Sequence, residues 1–271
     1  MQEAGAVVNT PRLSEDPMAS SVQGAQSFGR SIQVLQLIAD AGRPLSRVEL
    51  ADMCDLTRPT LYRIIASLEA EGLIEACGQN TYRLGARLIA LARTALSQSD
   101  LRQVAGPELE RLRDATGETV HLAVPSGDAM VYIDKIESRE VVRMMSTIGT
   151  QIPFHSTSVG RAYLSALSPE DAGAIVDRLD RPALTPFTVT EAGALMAEIR
   201  QARERGFARE EQENEPGIIC FGAPVRDHRG KPVGAISVSV PVFRLEDAKN
   251  YSKAVAASAN AVSGHLGYTG S

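Results

Sequence analysis

Residues 45–84, LSRVELADMCDLTRPTLYRIIASLEAEGLIEACGQNTYRL, admit few folds: they read as two short helices joined by a tight turn, then a two-stranded wing. Ser46 and Glu49 have the spacing of a capping box, and Leu45 and Leu50 flank it as a hydrophobic staple, which fixes where the first helix starts. Thr57 stands as N-cap of the second helix, with Arg58 and Pro59 in the first turn, where a missing proline N–H costs little. Leu61, Ile64, Ile65 and Leu68 recur at i, i+3, i+4 and i+7, committing one face to packing. The opposite face shows Pro59, Tyr62, Arg63 and Ala66. A helix that enters the major groove needs such a face, with donors for bases or phosphates and small residues for close approach. After Gly72, residues 73–75 and 81–84 flank a turn over 77–80 and read as a hairpin. Candidate DNA-binding residues are Arg58, Pro59, Thr60, Tyr62 and Arg63 on the helix, with Asn80 and Arg83 on the wing beside Thr81. A winged helix that contacts protein has the same pattern and stays open at this level.

The formal net charge of -5 over 271 residues sits badly with nucleic-acid binding until it is divided along the chain. Residues 26–96 hold eight Arg against seven Asp or Glu, near +1, and the remainder is acidic. Arg58, Arg63, Arg83 and Arg87 lie at or near the proposed DNA face, whereas Glu49, Asp52 and Asp55 lie on or just after the preceding helix. Weak non-specific binding follows, with specificity resting on dimer symmetry and good base contacts. With 44% hydrophobic and 23% charged residues, the chain has apolar material for two cores. Cys54, Cys77 and Cys220 are odd in number and widely spaced, which suits a reducing cytoplasm better than a disulfide scaffold. They lack metal-ligand spacing, and neither metal nor cofactor is expected. The first 24 residues contain no sustained apolar stretch, and no run of about eighteen apolar residues occurs anywhere. Export and membrane insertion are therefore unsupported, a cytoplasmic protein is expected, and the polar tail 1–24 is expected to be disordered.

Residues 26–41 form a first amphipathic helix with Ile32, Leu35 and Ile38 inward, completing a three-helix winged domain over 25–84. Residues 85–99 read as a linker helix with Leu88, Leu91, Ala92, Ala95 and Leu96 on one stripe, fit to pack on a neighbour or to cap the domain. From 100 to 268 the pattern becomes mixed. Helices are expected over 107–116, 158–167, 170–179, 191–205 and 245–265, and strands over 119–124, 130–136, 141–146, 218–226 and 232–240. Hairpins with helices grouped between them make this an α+β fold with an antiparallel sheet. In the strand VGAISVSV the period of two sends Ala235, Ser237 and Ser239 to one face and Ile236, Val238 and Val240 to the other. If its hairpin is centred on Arg229-Gly230 without a bulge, Cys220 lies opposite Ser239, and Gly222 opposite Ser237.

The winged unit, GTQIPFHSTSVGRA at 149–162, ENEPGIICFGAPV at 213–225 and GAISVS at 234–239 together resemble the IclR family of transcriptional regulators, over roughly residues 26–266. The resemblance implies a winged helix-turn-helix, a linker helix and a GAF-like domain that binds a small organic-acid effector. It also implies homodimers, often paired into homotetramers, on a palindromic double-stranded DNA operator, and a repressor is the expected kind of regulator. The effector would meet the N–H groups of Ser158 and Val159, joined by Glu210, Cys220, Ser237 and Ser239, with Val141, Met144 and Ile152 as apolar walls. A helix terminus can hold a carboxylate without an arginine. The chain departs from the family pattern at Arg161, where lysine is usual, and at Glu210, where aspartate is common. A second carboxylate would repel an acid, so Glu210 is expected to accept from an effector hydroxyl or to be protonated in the complex.

Two other functions fit parts of the pattern. Cys220 as nucleophile, His155 as base and Glu210 as orienter would make a thiol-dependent enzyme, but apolar surroundings do not activate a cysteine. A ligand-sensing adaptor with a protein-binding winged helix would leave Arg63 unimportant to DNA. His155 reads as a structural hydrogen-bonder and His228 as a solvated turn residue; His121 and His265 share no ligand spacing with them.

Overall fold

The computed structural model describes residues 26–78, 80–97, 100–245 and 248–270. The tail expected over 1–24 lies outside them. The described chain divides into two compact units, the boundary falling after Ala95.

The first unit runs α1 (Gln26–Asp40), β1 (Leu45–Ser46), α2 (Arg47–Met53), α3 (Arg58–Ala70), β2 (Ile74–Ala76), β3 (Thr81–Leu84) and α4 (Ala86–Ser97). Ser46 and Glu49 close the expected capping box: the Ser46 N–H donates to the Glu49 carboxylate at 2.8 Å, and the Glu49 N–H to the Ser46 hydroxyl at 3.2 Å. The Ser46 N–H, the Ser46 hydroxyl and Arg43, all donating to it, hold the Glu49 carboxyl down at about 2. Leu50, Leu61, Ile64, Ile65 and Leu68 join Val34 and Ile38 in one core. Ile32, expected inward, is 42% exposed, whereas Val34, four residues before Ile38, is fully buried, so the inward stripe of α1 runs through Val34, Leu35 and Ile38. Thr57 does occupy the N-cap of α3, but its hydroxyl pairs with that of Thr60 at 2.9 Å instead of capping the backbone. The wing gains a strand that no alternation announces: β1, two residues long, pairs with β3 and makes the order β1-β3-β2.

The second unit consists of α5 (Asp100–Thr116), β4 (Thr119–Ser126), β5 (Ala129–Ile136), β6 (Gln151–Pro153), α6 (Ser158–Ala166), α7 (Pro169–Arg178), α8 (Ala192–Arg205), β7 (Ala208–Glu211), β8 (Ile218–Arg226), β9 (Pro232–Pro241) and α9 (Ala248–His265). The strands form one antiparallel sheet, β6-β5-β4-β9-β8-β7. On one face Leu109 and Leu112 of α5 and Val255 and Val262 of α9 pack against Leu122, Phe221 and Val238. On the other, Val159 and Ala162 of α6 and Leu195 and Ile199 of α8 pack against Ala123, Tyr132 and Ala235. Each such large aliphatic side chain contributes roughly 1.5–3 kcal/mol by leaving water.

Three expectations need correction. Helix α5 begins at Asp100 and carries Pro107 inside it, because burial of Leu101, Ala105 and Leu109 outweighs one lost backbone hydrogen bond. Residues 141–146 are not a strand: Val141 and Val142 are 92% and 56% exposed, and β-branched residues make a strand only where a neighbour receives them. The edge beside β5 is taken instead by β6, whose Ile152 pairs with Met130. The last helix starts at Ala248, after a single 3-10 turn at Val242–Arg244.

Candidate functional site

On the first unit, Arg58, Pro59, Tyr62 and Arg63 project from the exposed face of α3, with Thr60 half-buried at its margin. Among the described residues, no ion pair or hydrogen bond engages the guanidinium group of Arg58 or of Arg63, whose carbonyl accepts from the Ser67 hydroxyl at 2.9 Å. Wing residue Arg83 is already paired with Glu75 at 2.6 Å, and Arg87 with Glu71. Asn80, with φ of 60°, holds the turn and is exposed. Arg47, which the sequence presents only as the first residue of a helix, bridges helix and wing. Its guanidinium lies 5.4 Å from the Tyr62 ring and 5.5 Å from the Tyr82 ring, and Nε donates to the Tyr82 hydroxyl at 2.8 Å. A cation within reach of both aromatic rings ties Tyr62, on the exposed face of α3, to the wing.

On the second unit, the register places side chains in rows across the sheet. Glu210 of β7 pairs with Cys220 of β8, which pairs with Ser239 of β9. One step along, Gly222 pairs with Ser237, and Ser237 with His121 of β4. A bulge after Val225 adds a residue near the turn yet leaves the expected pairings intact. Gly222 is required sterically, since a Cβ there would stand 2.6 Å from the Ser158 carbonyl oxygen; only glycine lets the start of α6 settle on the sheet.

Thr157 caps that helix, its hydroxyl accepting from the Gly160 N–H at 3.2 Å and donating to the Pro153 carbonyl at 2.6 Å. The Arg161 N–H closes the first turn on the Thr157 carbonyl. The N–H groups of Ser158 and Val159 are left over, at the positive end of the helix. Beneath Arg161 a buried carboxylate answers its charge: Nη1 donates to Glu213 Oε1 at 2.7 Å, and Nη2 to Oε2.

Between α6, the segment 210–218 and the sheet lies a small, partly open cavity of about 10 Å3. Ser158, Val159, Glu210, Cys220, Ser237 and Met144 line it, together with Tyr132, Asn214 and Glu215. Of the effector residues expected from the sequence, Ser239 stands behind the wall, where the Cys220 thiol donates to its hydroxyl at 3.3 Å. Ile152 packs into the apolar core instead, and Val141 points into solvent because its segment has no strand to join.

Charge is handled by burial. Glu210 is 2% exposed, and burial pushes its carboxyl up to about 7, against the N–H groups of Glu213 and Asn214 that hold it down. Burial, then the neighbouring Glu210, pushes the Cys220 thiol well above its ordinary range. His121 is buried and neutral, held down at about 3 by burial and by the charge of Lys135. Its Nε2 meets the Ser146 hydroxyl at 2.7 Å, while Nδ1 has no partner among the described residues. Tyr132, His121, Asn214 and Glu215 escaped sequence reasoning. The only available signal was strand alternation, which puts Tyr132 and His121 on one face but does not say what that face sees.

A family model described as Bacterial transcriptional regulator IclR C-terminal matches residues 93–264, and one described as IclR helix-turn-helix domain matches residues 27–76. The chain belongs to the IclR family. This IclR-family chain is 31% identical to the HTH-type transcriptional regulator XynR of Escherichia coli (strain K12), over 90% of its own length and 98% of that protein's. It is 30% identical to the HTH-type transcriptional repressor AllR of the same strain, over 86% and 85%. The crystal structure of the Thermotoga maritima IclR matches with a TM-score of 0.71 at 29% identity, covering 89% of this chain and 99% of that one. The IclR-family protein is thus an HTH-type transcriptional regulator, with an N-terminal DNA-binding domain and a C-terminal GAF-like effector domain. No helix among the described residues is long and apolar enough to cross a membrane.

Proposed function

We propose that this regulator is a homodimeric repressor whose hold on a palindromic operator is set by a small organic acid bound in the cavity beneath α6. The observation that carries this reading is the pair of unclaimed N–H groups at Ser158 and Val159, facing a cavity whose one buried carboxyl, Glu210, is raised toward neutrality. Such a site offers an anion a positive helix end and lowers the repulsion from its neighbour. The guanidinium groups of Arg58 and Arg63, which no described residue engages, supply the DNA side. Phe28 and Ile32 on α1, and Ile89 and Leu91 on α4, are exposed apolar residues that suit pairing of two chains.

Catalysis at Cys220 is a poorer reading. The thiol is held protonated, and His155 Nε2 is occupied by the Pro182 carbonyl at 3.1 Å.

The test joins the DNA side to the effector side. Selection from a random duplex pool is expected to enrich a two-half-site motif that Arg63→Ala binds at least tenfold more weakly. A panel of keto, hydroxy and aromatic acids is expected to contain one that raises the melting temperature and releases that DNA, with Ser237→Ala losing the response. No enriched motif, or no acid with both effects, would overturn the reading.

A further inference from the structure

Tyr132 is 5% exposed, lines the cavity, and among the described residues its hydroxyl has no hydrogen-bond partner. Cys220, Glu210 and Glu215 lie on the same cavity wall. The Tyr132 ring stacks on His121 with centroids 4.5 Å apart, and His121 is anchored in turn by Ser146, which keeps the phenol from swinging away. Across the sheet Ser237, 2% exposed and also on the wall, likewise has a hydroxyl without a partner among the described residues. Neither hydroxyl is a sealed polar atom; both residues line the cavity beside the start of α6, and a donor there that no described residue engages suits a ligand with more than a carboxylate.

We propose that Tyr132 is a further effector-binding residue, its phenol donating a hydrogen bond to a second oxygen of the acid, so that the site selects small hydroxy acids over their unsubstituted analogues. This rests on the effector reading given above. With the carboxylate on the Ser158 and Val159 N–H groups, the second oxygen accepts from the Tyr132 hydroxyl. An analogue without that oxygen leaves the phenol unpaired, and sites built around a hydroxyl reject such analogues far more strongly than they reject a change of one methylene. Burial keeps the phenol protonated, and therefore a donor, throughout the physiological range.

The test is calorimetric titration of the full-length protein with matched pairs: lactate and propionate, 3-hydroxybutyrate and butyrate, 4-hydroxybenzoate and benzoate. Wild type is expected to prefer the hydroxylated member of at least one pair by tenfold or more. Tyr132→Phe, which retains the ring and its stacking, is expected to abolish that preference by weakening the hydroxylated member alone. A variant that keeps the preference, or that weakens both members equally, overturns the role of Tyr132 while leaving the effector reading intact. Wild type that binds no member of any pair overturns both.

Discussion

Glu210 carries a proton-dependent part of the stability of the second unit. Burial raises the carboxyl from an ordinary 4.5 to about 7, so the folded state binds the proton more tightly than the unfolded chain does. The stabilisation from that proton is fully present below about pH 4.5 and is lost as pH rises through 7. Neutral His121 works the other way: the unfolded chain takes up its proton below about 6.5 and the folded protein resists it, so stability falls as pH drops from there toward 3. Replacing one residue therefore separates the two. Glu210→Gln is expected to remove a decline of up to about 1.4 kcal/mol per pH unit between pH 4.5 and 7, read from urea midpoints across that range. Parallel pH profiles for wild type and variant would show that the carboxyl is not raised. The identity of Glu210 as a site residue was open to family resemblance. Its altered acidity was not, because it comes from the packing of β7 against β8 and α6, and β7 has only four residues to announce itself.

The contact of helix α6 with strand β8 depends on the absence of one methyl group. In Gly222→Ala the added Cβ would meet the Ser158 carbonyl oxygen at 2.6 Å and the Val159 nitrogen at 3.0 Å, both backbone atoms that no rotamer change can move. The helix start has to lift. A loss of about 1–3 kcal/mol is expected from overpacking, visible as a lower urea midpoint. The acid-induced rise in melting temperature is expected to vanish even where the variant remains folded, since the lifted N–H groups no longer face the ligand. A folded variant that kept the full response would place the acid elsewhere. The elements themselves were largely legible in the sequence: the 3.6-residue period in α3 and the alternation in β9 gave helices, strands and the Cys220–Ser239 register. What remained hidden was decided by partners distant in the chain. β1 exists because β3 lies alongside, and Val141 stays outside because no strand receives it. Arg47 gains its place between Tyr62 and Tyr82 only once helix and wing have closed.

On the proposed reading, acid and operator meet on different units of one chain, so at the scale of the molecule function is a coupling free energy. If the acid weakens DNA binding by some factor, DNA must weaken acid binding by the same factor. Couplings of this kind typically amount to about 1–3 kcal/mol, or roughly 5- to 150-fold in affinity. For the repressor reading, the acid found in the melting screen is expected to raise the dissociation constant for the selected duplex within that range, as followed by fluorescence anisotropy at fixed salt. Calorimetry of the acid on the protein–DNA complex is expected to return the same ratio. Arg63→Ala supplies a control of a different kind: if this residue meets phosphate, affinity falls and the slope against log salt drops by about one, while the coupling is unchanged. A variant in the cavity, such as Gly222→Ala, is expected to do the reverse, leaving the salt slope as it was and removing the coupling. Equal acid affinities for the free and the DNA-bound protein would mean that the cavity does not govern the winged helix, whatever it binds.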